Sequence, residues 1–290
     1  MLRKYQLQNR IAGGLRFLDG ATGSNLQKAG MPKGCCTEQW VLENPGILQD
    51  LQRAYAAAGS QILYAPTFQA QPIALARVGL ADKTEAVNAK LVALSRSAAP
   101  DDLIAGDLTT LAAFCESWNP DNIDLLIDNY RRQIRGLIDG GADLLVAETL
   151  MYPLEAEAIL TAAEIEGAGA VMYSFVMTAD GSLFSGQDAV PVLKDLADSG
   201  AAAVGFNCVA ADMMTPYLVR KLAKEIRIPI LCKPNAGNPT INAAGVPEYD
   251  MDTNEFAQIV LYCHRSGAKL LGGCCGTTPA HIAALTELFE

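Results

Sequence analysis

The chain has 290 residues, half of them hydrophobic, and a formal net charge of −10. No Lys/Arg cluster offers a stripe for tracking phosphates, which excludes nucleic acid as an expected partner and leaves the acidity to serve solubility. The N-terminus MLRKYQLQNR lacks an apolar signal core and no stretch is long enough to span a bilayer, so no membrane association and a cytoplasmic location are expected; there the eight cysteines would stay reduced, and clustered thiols suggest metal or catalysis before disulfides.

In chain order, apolar β-rich runs occur at 16–21, 61–67, 103–108, 143–149, 170–176, 202–208, 228–234 and 269–275, with helical patterns between them. Asn44-Pro45 reads as an N-cap with a first-turn proline, opening a helix with Leu48, Leu51 and Tyr55 on one face. Asn119-Pro120 opens a second, lined by Ile123, Ile127, Tyr130, Ile134 and Ile138. Strand–helix alternation implies parallel strands, and eight such units predict a single α/β domain over residues 1–290, a (β/α)8 TIM barrel, with a doubly wound open sheet as runner-up. No GxGxxG loop follows the first strand, which removes the usual dinucleotide reading.

Four helices are followed by Gly-Ser or Gly-Ala and then a strand, at Gly59, Gly141, Gly200 and Gly267. These glycines suit the left-handed position that closes a helix. Each lies eight residues before Thr67, Thr149, Cys208 and Cys275 respectively, so these four are predicted at one height, at the C-terminal mouth where barrel enzymes place their active sites. Glu148, Asn207 and Cys274 fall one residue lower. Adjacent strand residues face opposite ways, so the last strand must break for Cys274 and Cys275 to share a ligand; Gly272, Gly273 and Gly276 provide the freedom.

Cys208, Cys274 and Cys275 thus form a candidate set of three thiols, which can hold one Zn2+ and leave its fourth position open, the layout of a catalytic site. A redox thiol cluster is the competing reading. Cys232 and Cys263 read as small buried hydrophobes, Cys115 carries no signal, and the pair Cys35-Cys36 lacks a third thiol at matched height. The only two histidines, His264 and His281, fall in helices, so the chemistry should need no histidine base. Three thiolates on zinc would make an anionic centre that deprotonates an added thiol and suits its attack on an activated methyl group better than carbonyl hydrolysis.

DGATGSNLQ from Asp19, AETL from Ala147, GFNC from Gly205, KPNAG from Lys233 and GGCCGTTPAHI from Gly272 together resemble the homocysteine S-methyltransferase family. The resemblance implies the barrel, a zinc ion on Cys208, Cys274 and Cys275, and methyl transfer to L-homocysteine to give methionine. It also implies an amino-acid cradle: Asp19 and Glu148 for the ammonium, backbone N–H groups of Gly20 and Ala21 for the carboxylate. Thr67 and Asn207 join the expected substrate contacts, and Asn235 is a candidate fourth zinc ligand when substrate is absent. The third strand, Gly106-Asp107-Leu108-Thr109-Thr110, departs from the Gly-Pro common in relatives, and Pro66-Thr67-Phe68 replaces the more usual Asn-Thr-Phe.

These departures lie at the mouth and leave the methyl donor open. Betaine would need an aromatic cage, for which Trp40, Trp118, Phe114 and Tyr173 are available but do not visibly converge. The expected donor is a methylated corrinoid protein or a small sulfonium such as S-methylmethionine. Methylation of another thiol or selenol, and a non-autonomous subunit presenting homocysteine to a corrinoid protein, stand as alternatives.

Overall fold

The computed structural model describes residues 1–242 and 247–289. Seven parallel strands, β1 (Ile62–Tyr64), β2 (Leu103–Thr109), β3 (Leu144–Leu150), β4 (Val171–Phe175), β5 (Ala203–Ala210), β6 (Ile230–Asn235) and β9 (Ala268–Leu271), pair in that order. A short antiparallel hairpin, β7 (Thr240–Ile241) with β8 (Pro247–Glu248), lies between β6 and β9 in the chain. The eighth expected strand, 16–21, is reduced to parallel bridges from Phe17 to Leu271 and from Leu18 to Ile62. Those bridges join the two edges of the sheet, and the TIM-type barrel is the observed fold rather than the open alternative.

The helices follow their sequence signals with one delay. Pro45 starts the helix Pro45–Ala57, which buries Leu48 and Tyr55. After Asn119, a 3-10 turn comes first, capped by the Asn119 side chain accepting from the Asp121 N–H, and the helix runs Ile123–Asp139. Gly59, Gly141, Gly200 and Gly267 all have positive φ, as a helix-closing residue requires. None of the helices among the described residues is long and apolar enough to cross a membrane.

Alternate strand residues divide between two apolar clusters. Leu63, Ile104, Leu145, Val171, Val204 and Cys232 belong to the larger one, which includes the inner faces of the surrounding helices. Ile62, Ala105, Leu144, Val146, Met172, Ala203, Leu231 and Leu270 fill the barrel's interior, and Leu7 and Ile11 of the helix Lys4–Ala12 plug its lower end. The interior is therefore dry up to the level of Ala105, Val146, Met172 and Leu231.

Candidate active site

One step above that level, the same inward rows carry Asp107, Glu148, Ser174 and Lys233. With the segment 19–24 and the loop 273–275, three of these, Asp107, Glu148 and Lys233, line a cavity of about 350 Å³ at the C-terminal mouth.

The three cysteines expected to converge do so. The Sγ atoms of Cys208, Cys274 and Cys275 all lie within 4.8 Å of one another, and those of Cys208 and Cys275 are 3.8 Å apart. Thiolates on a tetrahedral ion at about 2.3 Å would sit about 3.8 Å from each other. Hydrogen bonding from Cys208 and Cys274 lowers the Cys275 thiol, while Cys208 is correspondingly raised. Tyr249 lies beside Cys275; burial, and then that sulfur, push its phenol up.

Backbone irregularity lets neighbouring residues face the mouth together. Thr149 and Cys208 have φ of 58° and 60°, and the ladders slip just there, between Ala147 and Leu150 and between Asn207 and Ala210. These are the described non-glycine residues with positive φ, a conformation that costs an ordinary side chain about 1–2 kcal/mol. In the last loop only Gly276 needs the left-handed region. Gly272 and Gly273 are required by crowding instead: a Cβ there would lie 2.7 Å from the Asp19 carbonyl oxygen and 2.4 Å from Thr277 Oγ1. Cys274 N–H donates to Pro234 O at 2.7 Å and Ala236 N–H to Cys275 O at 3.0 Å, which clamps the paired cysteines onto the end of β6.

Of the register-matched four, Thr149, Cys208 and Cys275 line the cavity and Thr67 does not. Pro66 has no N–H to continue the ladder, β1 stops at Tyr64, and Thr67 turns inward, fully buried. Its hydroxyl donates to Asp107 O at 2.8 Å. Asn207 is also buried, away from the cavity surface. Its Oδ1 accepts from Thr149 N–H and Ser174 Oγ, both at 2.8 Å, and its amide donates to Thr149 Oγ1 at 2.7 Å and Cys274 Sγ at 3.7 Å. It holds two cavity residues in place. Asn235 ends β6 with a buried Oδ1 that has no hydrogen-bond partner.

Asp19 is engaged on both oxygens, by Tyr64 N–H at 2.7 Å and by Lys233 Nζ at 2.8 Å. The Ala21 N–H, an expected carboxylate donor, is taken by Thr277 Oγ1 at 3.0 Å. Glu148 presents Oε2 with no hydrogen-bond partner, 3.9 Å from Lys233 Nζ. Burial pushes its carboxyl up to about 8, opposed by Lys233 and assisted by Cys274 and Asp19. Burial likewise raises Asp19, against the pull of Lys233. Burial alone would lower the Lys233 ammonium, but Asp19 and Glu148 outweigh it and the group is held up. Its Nζ also lies 3.6 Å from the centre of the Tyr64 ring.

Lys233 and Asp107 were not singled out by the sequence reading as site residues. The signal was available: a charge at the inward position directly after Leu231 and after Ala105, in strands otherwise apolar.

The other expectations resolve simply. Cys232 and Cys263 are buried in the core, Cys35 is exposed, and Cys36 meets Glu38 at 3.4 Å rather than a third thiol. His264 bonds Ala268 O, while His281 caps its own helix through Thr278 and packs on Phe256. Tyr173 is core. Trp118 contacts Tyr152, and Tyr152 contacts Phe184, with centroids 5.3 and 6.0 Å apart, but none of these three rings lines the cavity.

Residues 16–289 match the family model described as homocysteine S-methyltransferase. The methionine synthases of Mycobacterium leprae and Mycobacterium tuberculosis are each 28% identical over 283 residues, 91% of this chain. The chain spans about a quarter of their length, 23% and 24%. The metallated form of the homocysteine methyltransferase MmuM from Escherichia coli superposes with a TM-score of 0.80 at 27% identity, covering 95% of this chain and 96% of that one. A methyltransferase from Methanosarcina mazei, at TM-score 0.63 and 13% identity over the whole of both chains, shares the fold alone.

Proposed function

Because this chain belongs to the homocysteine S-methyltransferase family, we propose that it transfers a methyl group to the sulfur of L-homocysteine, yielding methionine. The observation that carries this reading is one cavity wall: three thiols at metal-ligand spacing, with the unpartnered Glu148 carboxyl in the same chamber.

The donor set fits zinc. Three convergent sulfurs are the ligands a soft, tetrahedral ion takes, and a relative of the same fold is known in a metallated form. Cys208, Cys274 and Cys275 would hold the ion, which when bound supplies acidification and orientation of a substrate thiol. Asn235, with its unpartnered Oδ1, remains the proposed fourth ligand without substrate.

The chain's own residues do the rest. Glu148 receives the ammonium, and its ionisation is favoured by that new cation. Lys233 holds the neighbouring Asp19 at 2.8 Å and opposes the burial that raises it, so that Asp19 acts on the ammonium through the field of the pair rather than by a free oxygen. The carboxylate falls to Gly20 and to the backbone N–H groups of Thr22, Gly23 and Ser24, which take no partner among the described residues. The methyl carbon must sit in line at about 3–3.5 Å from the reacting sulfur.

A sulfonium such as S-methylmethionine or a methylated corrinoid protein is the proposed donor. Among the described residues the aromatics lining the cavity are Tyr64 and Phe68, with Tyr249 beside Cys275, and Lys233 already occupies the Tyr64 face, which disfavours a cage for betaine. The deciding experiment is metal analysis and turnover of the purified protein with homocysteine and a donor panel. About one zinc per chain, lost in Cys208→Ser and Cys275→Ser, with methionine formed from S-methylmethionine or methylcobalamin, is expected. Full zinc retention by all three single Cys→Ser variants, or turnover from betaine alone, would refute the corresponding part.

A further inference from the structure

The cavity holds more acidic side chains than homocysteine recognition by Glu148 accounts for. Asp19, Asp107 and Glu148 all line it, and Lys233 is the cation among its lining residues. Lys233 is committed to Asp19 at 2.8 Å and approaches Glu148 at 3.9 Å. Asp107 forms no ion pair among the described residues, is 4% exposed, and has an Oδ1 with no hydrogen-bond partner. Its backbone is locked on both sides: its N–H donates to Thr67 Oγ1 at 3.0 Å, and its carbonyl accepts from Thr67 Oγ1 at 2.8 Å and from Gln133 Nε2 at 3.1 Å. The side chain therefore cannot swing out to solvent with its strand.

A buried carboxylate without a partner is costly and is retained where a cation or donor arrives to meet it. Asp107 faces the same chamber as Glu148 Oε2, the other unpartnered carboxylate oxygen there. A substrate ammonium brings one positive charge and three N–H donors, enough to serve both groups. A thiol without an amine would leave both unserved, and sites built around such polar groups reject analogues that cannot fill them.

We propose that Asp107 is a second carboxylate of the ammonium site and sets the preference for amine-bearing thiols over thiols of the same length without the amine. The inference rests on the homocysteine reading above and extends it to a residue of the departing third strand. A competing use, contact with a cationic methyl donor, would leave homocysteine affinity unchanged.

The test is titration calorimetry of the zinc-loaded protein with L-homocysteine and with 4-mercaptobutyrate, which keeps the chain length and thiol but lacks the amine. Asp107→Asn is near-isosteric, and Asp107→Ser provides a second variant that keeps a small polar group; zinc content and thermal unfolding check both. Homocysteine affinity is expected to fall roughly ten- to hundredfold, with mercaptobutyrate affinity unchanged or improved, so that the preference between them collapses. Equal weakening of both thiols, unchanged homocysteine affinity, or a change confined to the donor KM would overturn the proposal. Wild-type protein that binds neither thiol would overturn the homocysteine reading itself, a result distinct from all of these.

Discussion

The lower and upper halves of the barrel interior are made by the same strands, two residues apart, and are chemically opposed. Ala105, Val146, Met172 and Leu231 pack in the apolar plug; Asp107, Glu148, Ser174 and Lys233 stand on it. The plug gives the charges above it a dry floor, which is why burial is the largest cause pushing Asp19, Asp107 and Glu148 up. The lesson is that the apolar layer is part of the site: it sets the protonation of groups it does not touch through hydrogen bonds.

The contrast can be broken most forcefully from above. Lys233→Met leaves Asp19 and Glu148 buried without their cation, and a loss of about 3–5 kcal/mol is expected in chemical denaturation. From below, Leu144→Ala should cost about 2–5 kcal/mol by opening a cavity in the plug. If the halves differ as argued, the first loss varies with pH between 5 and 8 and the second does not; parallel pH profiles would dissolve the distinction.

Glu148 sharpens it. Its folded carboxyl is raised from an ordinary 4.5 to about 8, so the folded state holds a proton that the unfolded state has released. The stabilisation is full below about 4.5 and is lost as pH rises through about 8. Across that window this group contributes a decline of up to about 1.4 kcal/mol per pH unit. Glu148→Gln should flatten the profile, as read from denaturation midpoints at several pH values, and a slope identical to wild type would assign the decline elsewhere. The smallest effect concerns Asn207, which steadies Cys274 and Thr149 from within the wall. Asn207→Ala is expected to weaken zinc about tenfold in a chelator competition without loss of the apolar core.

Much of this was legible in advance because it depends on periodicity. The glycine-to-cysteine spacing placed Cys208 and Cys275 at one height, and helix-closing glycines marked where strands begin. What the spacing could not carry was the backbone's local hand. Thr149 and Cys208 adopt positive φ, a state that neither residue type advertises, and this turns consecutive residues toward one mouth. Thr67 shared the register but not the outcome, since Pro66 ended its strand early. Asn207 reads as a substrate contact from its motif, and in the fold it lies buried behind the cavity wall, bonded to Thr149, Ser174 and Cys274. Lys233 differs again: a charge at an inward position of an apolar strand marks it, but its partner Asp19, far away in the chain, is set only by the closed fold.

That last contact has a topological consequence. The barrel is a hoop, and its clasp is the short segment at Phe17 and Leu18, held to its neighbours by single bridges. Just past the bridges the Asp19 side chain reaches across, accepting from the Tyr64 N–H on one side and holding Lys233 on the other, a link between positions 214 apart in sequence. A side chain thus finishes what the backbone ladder leaves short. Fastening the hoop and assembling the charged chamber are one event, so a chain with the hoop open has no chamber in which to receive an amino acid.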